Sequence, residues 1–111
     1  MPKEYPQDLS EIMDYSSYDL RTTIRLVVLS GESRRVDVMK GSKRGAIFVK
    51  GGEILSVVAN DLEGDEAFFA ILSWIRADHS DSHEPDQPER NMRVSTSVLL
   101  DLLKHEAGGS Q

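Results

Sequence analysis

The strongest hydrophobic pattern in the chain lies between Gly45 and Trp74. Two apolar runs, at 46–50 and 53–59, flank a Gly-Gly pair. This arrangement predicts a β-hairpin, because a two-residue turn of the primed type needs positive φ angles, which glycine adopts without strain. The apolar spacing then changes to three and four residues, the period of one helix face, at Ala67, Phe68, Ile71, Leu72 and Ile75. Because a hairpin buries its apolar face only against another element, we expect this helix to pack on it.

The segment before the hairpin predicts an arm and a helix. Residues 1–14 are read as an N-terminal arm or a short helix. Ser16 or Ser17 is a typical N-cap for the helix that follows, which is expected to stop near Ser30-Gly31 because glycine suits the left-handed residue after a helix. The apolar positions are Leu9, Ile12 and Met13 in the arm, then Leu20, Ile24, Val27 and Val28 in the helix.

Three short strands follow this helix. Residues 32–39 alternate, which predicts the first strand, and residues 40–45 form a turn. In the second strand Phe48 has the opposite parity to Ile47 and Val49, so we expect this strand to be covered on both faces. In the third strand we expect the side chains of Ile54, Ser56 and Val58 to point to one face and those of Leu55 and Val57 to point to the opposite face.

The last third of the chain predicts two helices separated by a polar segment. The helix that begins near Asp65 is expected to run to about Arg76. Residues 77–91 contain no large apolar residue and therefore predict an exposed connector. Ser95 or Ser97 caps the final helix, whose predicted apolar face is Val98, Leu99, Leu102 and Leu103.

Together these elements predict an α+β fold, with a small antiparallel β-meander of three to five strands packed with three or four helices. At 111 residues the chain is long enough for one domain with a single modest core. We assign this domain to residues 15–107 and expect residues 108–111 to form a frayed tail.

Composition narrows the classes of function. The formal net charge of −6 argues against binding to nucleic acid, where basic groups supply most of the affinity. The chain has no cysteine, so disulfides and thiolate zinc sites are excluded and a reducing compartment is expected. Its apolar runs are too short to span a bilayer, and its N-terminus lacks the hydrophobic segment of a secretion signal. We therefore predict a cytoplasmic protein without membrane insertion.

Cations nevertheless crowd one segment of this acidic chain, while carboxylates dominate residues 61–89. Such asymmetry tunes association rather than fold, and the basic segment fits either a solvated face or a site for an acidic partner protein. Phe69 lies off the predicted helix face, so it either packs under a neighbouring helix or belongs to an exposed binding patch. The candidate partner-binding residues are Arg34, Arg35, Lys40, Lys43, Arg44 and Phe69.

Candidate chemistry is sparse. His79 and His83 have the spacing of two metal ligands on a helix, and they define a metal-binding or metal-dependent enzyme as an alternative. Proline and serine in this segment disfavour a helix, and a solvated loop is the competing interpretation. No nucleophile motif is present, so we predict neither catalytic residues nor a cofactor.

The order of the motifs carries a family resemblance. They are an Arg-rich strand at 33–38, a Gly-Ala-Ile-Phe-Val-Lys-Gly-Gly strand at 45–52, an apolar strand at 53–59, Gly-Asp-Glu-Ala-Phe-Phe followed by Trp74 in a helix from 64, and Ser-Thr-Ser-Val-Leu-Leu at 95–100. In this order and spacing the chain resembles the PATAN domain, the PatA amino-terminal type found in bacterial signalling proteins, over about residues 17–107. Two departures stand out. Arg34-Arg35 replace the usual Thr/Ser-Gly, and residues 77–80 replace a Gly-x-Phe strand, which is therefore expected to be missing or poorly anchored.

The resemblance implies a non-enzymatic adaptor that binds other signalling proteins, such as response regulators or motility and developmental regulators. It supplies no catalytic residue. A roadblock-like dimeric regulator of a small GTPase is an alternative with a similar small sheet and flanking helices, and a homodimer stays open in either case.

Overall fold

The structure, a computed structural model, describes residues 18–74, 76–84 and 86–109. Within these ranges the chain forms three helices and a five-stranded antiparallel sheet, which confirms the predicted α+β class. The helices are α1 (Leu20–Ser30), α2 (Asp65–Leu72) and α3 (Thr96–Gly109). The strands are β1 (Arg34–Lys40), β2 (Lys43–Lys50), β3 (Glu53–Ala59), β4 (Leu62–Glu63) and β5 (Asp78–His83).

The sheet has the order β4-β3-β2-β1-β5, so the β1–β3 meander forms its centre. Val36 pairs with Ile47, which pairs in turn with Val57, and all three side chains are fully buried. A side chain added at Gly45 would come within 2.7 Å of Ile71 Cδ1, so α2 packs directly on this face. We call the side of the sheet that faces α1 and α2 the inner face and the opposite side the outer face.

The hairpin prediction at the Gly-Gly pair is confirmed. Gly51 and Gly52 connect β2 to β3 with φ angles of 56° and 84°, as a two-residue primed turn requires. A Cβ at Gly52 would lie 3.2 Å from the carbonyl oxygen of Val28. The turn therefore also needs glycine because the end of α1 lies close to it.

The N-cap of helix α1 lies two residues after Ser17, the later of the two predicted serines. Asp19, and neither Ser16 nor Ser17, is the N-cap, and its carboxylate accepts a hydrogen bond of 2.8 Å from the Thr22 N–H. This backbone hydrogen bond lowers the pKa of Asp19 below its ordinary value. At the other end Gly31 adopts φ 75° and closes the helix, as predicted.

The other two helices differ in detail from their predicted forms. Helix α2 stops at Leu72 instead of near Arg76, and the N–H groups of Ser73 and Trp74 close its last turn. Helix α3 follows Ser95, as the capping prediction allowed. Over residues 96–104, where its side chains are described, Leu99 and Leu103 are buried, whereas Val98 and Leu102 of the same predicted apolar face are 47% and 39% exposed.

The predicted connector at 77–91 is wrong in its first half. Residues 78–83 form β5, which pairs with β1 along six residues and becomes one edge of the sheet. The reason is electrostatic: the inward-facing Asp81 is buried by an ion pair with Arg34, so the strand needs no large apolar residue. Residues 78–80, where a strand was expected to be missing or poorly anchored, therefore belong to a strand that is paired along its length.

The remaining domain predictions concern the chain ends. The backbone of α3 continues to Gly109, so residues 108 and 109 of the predicted frayed tail are helical, and residues 110–111 lie outside the described residues. The predicted arm or helix at 1–14 also lies outside them. In the part of the chain that the structure describes, no helix is long and apolar enough to cross a membrane.

Candidate functional site

The outer face of the sheet carries a shallow hollow with both apolar and charged walls. Register places Asp37 opposite Ala46, Ala46 opposite Val58, and Met39 opposite Arg44. Met39 and Val58 are each 37% exposed, although both lie in strands at the centre of the sheet. The hollow has a volume of about 580 Å³. We call it the outer-sheet hollow; its lining residues are Asp37, Val38, Met39, Arg44, Gly45, Ala46, Val58, Asn60 and Ser80.

Arg44 is held at the rim of this hollow. Its backbone N–H donates to the Asn60 side chain at 3.1 Å, and its carbonyl accepts from the Asn60 N–H at 2.9 Å. Its guanidinium donates to the carbonyl oxygens of Gly41 and Lys43 at 3.0 and 3.2 Å. These bonds fix a positive charge beside the exposed side chain of Met39, so polar and apolar recognition groups are adjacent.

The other cations of the predicted basic turn point elsewhere. Lys43 has the opposite parity to Arg44, and its ammonium lies 5.8 Å from the centre of the Trp74 ring, a cation–π distance. Lys40 pairs with Lys43 in the hairpin and is exposed. The structure thus divides the basic turn between the two faces of the sheet.

The two neighbouring arginines of β1 also separate. Arg35 lies on the outer face, where its guanidinium is 3.2 Å from Asp37 and 3.5 Å from Glu84, with 40% of its side chain exposed. It is therefore accessible at the edge of the surface that carries the outer-sheet hollow.

Arg34 lies on the inner face and is only 15% exposed in its side chain. Its Nε donates to Asp81 at 2.8 Å, its Nη2 also contacts Asp81, and its Nη1 donates to Glu32 at 2.8 Å. Burial lowers the pKa of the Arg34 guanidinium, but the hydrogen bonds to Asp81 and Glu32 outweigh burial and raise it overall. Arg34 thus holds β5 to β1 inside the domain.

Phe69, the sixth predicted residue, lies on α2 away from the other five. It is 44% exposed and packs edge to face on Phe68, with ring centres 5.8 Å apart and an angle of 77° between the rings. It lines a depression of about 300 Å³ whose walls are Arg21, Phe69, Leu72, Ser73 and Leu102.

A second depression, of about 650 Å³, adjoins the first because both contain Arg21 and Leu72. We call the two together the helix-side groove. The lining residues of the second depression are Tyr18, Asp19, Leu20, Arg21, Leu72, Trp74, Arg76, Ala77, Asp78 and His79.

The predicted histidine pair does not form a metal site. His79 and His83 lie four residues apart on β5, so their Cα atoms are separated by about 13 Å, too far for two rings to bind one ion. The His79 Nε2 instead lies 2.8 Å from the Thr23 hydroxyl of α1. Among the described residues, no group of three or more His, Cys, Asp or Glu side chains could hold a metal ion.

Sequence reasoning missed the exposed apolar residues of the outer face. The parity of Met39, opposite to that of Val36 and Val38, was a signal that could have found one of them. Val58 had no such signal, because a bulge between Phe48 and Val49 shifts the register of β3.

Comparison of this chain with protein-family models, with curated proteins and with solved structures finds no match. A function is therefore inferred from the geometry of the surfaces described above.

Proposed function

We propose that this protein is a non-enzymatic adaptor of bacterial signalling and that it binds a partner protein through the outer-sheet hollow. The observation that carries the proposal is the arrangement of Arg44 beside two partly exposed apolar side chains, Met39 and Val58. An apolar floor with a charged rim is typical of protein-binding surfaces. The resemblance to the PATAN domain supports the signalling context.

The charges at the rim suggest the chemistry of the partner. Arg44 lines the hollow, and Arg35 lies on the same face, with its guanidinium 3.2 Å from Asp37, another lining residue. A segment that inserts an apolar side chain between Met39 and Val58 and carries a carboxylate next to it would match both features. Charges at such a rim chiefly accelerate association, whereas the apolar contacts slow dissociation.

The test begins with capture of partners from a native lysate on the full chain, followed by titration of the purified partner by calorimetry. We expect Arg44→Glu to weaken binding by about 5- to 30-fold, which corresponds to about 1–2 kcal/mol. Val58→Asp should weaken it further, because it places a carboxylate on the floor of the hollow. Neither variant should lower the melting temperature by more than a few degrees, since both side chains are at least partly exposed.

Lys50→Glu is the matched control. Lys50 is an exposed cation on the same strand as Arg44, but it lies at the other end of β2 and does not line the hollow. Its charge reversal changes the net charge by the same amount, so it reports any general electrostatic effect. Equal affinity of all three variants for the captured partner would remove the outer-sheet hollow from the proposal.

A further inference from the structure

The outer face of the sheet carries apolar side chains over its central strands. Side chains from α1, α2 and α3 line one common depression, so the three described helices lie together on the inner side. On the outer face Met39 is 37% exposed and Phe48 is only half-buried. An antiparallel sheet commonly keeps one face in water, but that face is then polar. Apolar side chains on it indicate a surface that another molecule covers.

The charges on this face are divided between its two sides. Register pairs Met39 with both Arg44 of β2 and Asp78 of β5, and directly paired residues point to the same face, so the three form one row across the sheet. Asp78 begins the edge strand and also borders the helix-side groove. Neither Arg44 nor Asp78 forms an ion pair within the part of the chain that the structure describes. The row therefore runs from an anion through an apolar side chain to a cation.

The other end of the same strands repeats this order. Strands β2 and β5 run in the same direction, because each is antiparallel to β1. Lys50 ends β2 and Glu84 follows the end of β5, so a cation again belongs to the β2 side and an anion to the β5 side. Between the two rows, Arg35 and Asp37 of β1 already pair with each other at 3.2 Å. The outer face thus has a cationic side and an anionic side.

We propose that two copies of this chain associate through their outer faces, related by a twofold axis that runs over β1 and parallel to the strands. Such an axis reverses the strand order of the second copy, so Arg44 of each copy lies over Asp78 of the other, and the two Met39 side chains meet at the centre. Lys50 and Glu84 are matched in the same way. A twofold axis across the strands would instead place Arg44 over Lys50 and Asp78 over Glu84, so the charges select the first arrangement.

The shared surface is small, so this dimer is weak. Three strands spaced by about 4.8 Å and about seven residues long cover a flat area of about 330 Å² per copy, whereas a standard interface buries about 800 Å² per partner. We expect a reversible dimer with a Kd on the order of 0.1 mM, in which the charge pairs fix the orientation. The dimer covers Arg44 and Met39 of the outer-sheet hollow, so a partner protein at the hollow would bind the monomer. That consequence rests on the proposed function, but the dimer itself does not.

Sedimentation velocity of the full chain at low salt, from about 10 µM to about 1 mM, measures the association. We expect the average mass to rise with concentration. Arg44→Glu and Asp78→Lys should each weaken the dimer at least about tenfold, because each variant brings like charges together twice across the axis. An equimolar mixture of the two variants should regain the dimer, since the two reversed charges then face each other and so do the two native ones. Lys104→Glu, which reverses an exposed cation on α3, is the matched control and should leave the association unchanged.

Recovery in the mixture also shows that both variants are folded. A native chain that stays monomeric up to about 1 mM would overturn the dimer. A dimer that both variants leave intact, or a mixture that associates no better than either variant alone, would overturn the outer face as its interface. Asp78 does not line the outer-sheet hollow, so Asp78→Lys should leave the affinity for a captured partner unchanged while it weakens the dimer. The failure of this inference and the failure of the proposed function therefore give different results.

Discussion

The ion pair between Arg34 and Asp81 gives the sharpest test of the fold. Arg34→Met keeps most of the apolar stem of the side chain but removes its charge. The Asp81 side chain is 1% exposed, so the variant leaves a buried carboxylate without its guanidinium partner. We therefore expect the free energy of unfolding to fall by about 3–5 kcal/mol, the usual cost of breaking a buried pair from one side.

Arg35→Met is the matched control, because it makes the same chemical change at the next residue of the same strand. Arg35 and its partner Asp37 are 40% and 39% exposed in their side chains. Water screens a pair of this kind, and its loss should cost less than about 1 kcal/mol. The difference between the two variants measures the effect of the strand face, since charge, side-chain length and strand position are otherwise alike.

Urea unfolding followed by the fluorescence of Trp74, the single tryptophan, provides the measurement. With a slope of about 1.5–2 kcal/mol per molar, a loss of about 3–5 kcal/mol lowers the midpoint by about 2–3 M. The double variant Arg34→Met/Asp81→Val should recover most of the loss, because an apolar pair replaces buried charges at little cost. A midpoint for Arg34→Met close to that of Arg35→Met would refute the burial of this ion pair and with it the anchoring of β5.

Two further predictions concern the N-cap side chain of α1 and a glycine with a positive φ angle. Asp19→Ala should lower the free energy of unfolding at pH 7 by about 1 kcal/mol, because it removes the N-cap of α1. The Thr22 N–H lowers the pKa of Asp19 in the folded state, so the difference between the variant and the native chain should shrink only as the pH falls below the ordinary value of 3.8. Thermal unfolding at several pH values measures this difference. A difference that grows on acidification would contradict the assignment of this N-cap. Gly64→Ala should lower the free energy of unfolding by at least about 2 kcal/mol, since φ is 71° and the new Cβ would lie 2.4 Å from the Asn91 carbonyl oxygen. Gly41→Ala is the control, because φ is 63° but nothing lies within 4 Å of the new Cβ, and it should lower the free energy of unfolding by only about 1 kcal/mol in the same urea assay.

The central hairpin and its helix were predictable because local and tertiary signals agree there. Gly51-Gly52 dictates the turn, and the alternation of Ile47 and Val49 dictates the face that meets the helices. Phe68 and Ile71 are fully buried, as their helical spacing predicted. In this stretch a single pattern fixes both the element and its packing.

The third strand shows where alternation fails. Ile54 and Val57 were expected on opposite sides, yet both are buried on the inner face, because the bulge opposite Phe48/Val49 inserts one residue and reverses the parity between them. The expected coverage of β2 on both faces is also incomplete, since Phe48 on the outer face is only half-buried. The outer-sheet hollow follows from this register, and the register depends on how two strands pair, which neither strand encodes alone.

Strand β5 shows how a strand can form without an apolar pattern. Arg34 lies directly opposite His83 and therefore reaches Asp81 diagonally, two residues along the partner strand. His79, two residues before Asp81 on the same face, bonds Thr23 on α1, so Asp81 and His79 both have polar partners supplied by other elements, whereas His83 at the end of the strand is exposed. An inward-pointing charge on an edge strand also discourages that strand from pairing with other chains. If β5 paired with a strand other than β1, the Asp81 carboxylate would be buried without the Arg34 guanidinium. The same residues that hide β5 from sequence patterns thus make it selective for β1, and they leave the outer face as the side of the sheet where binding can occur without disturbing a buried charge.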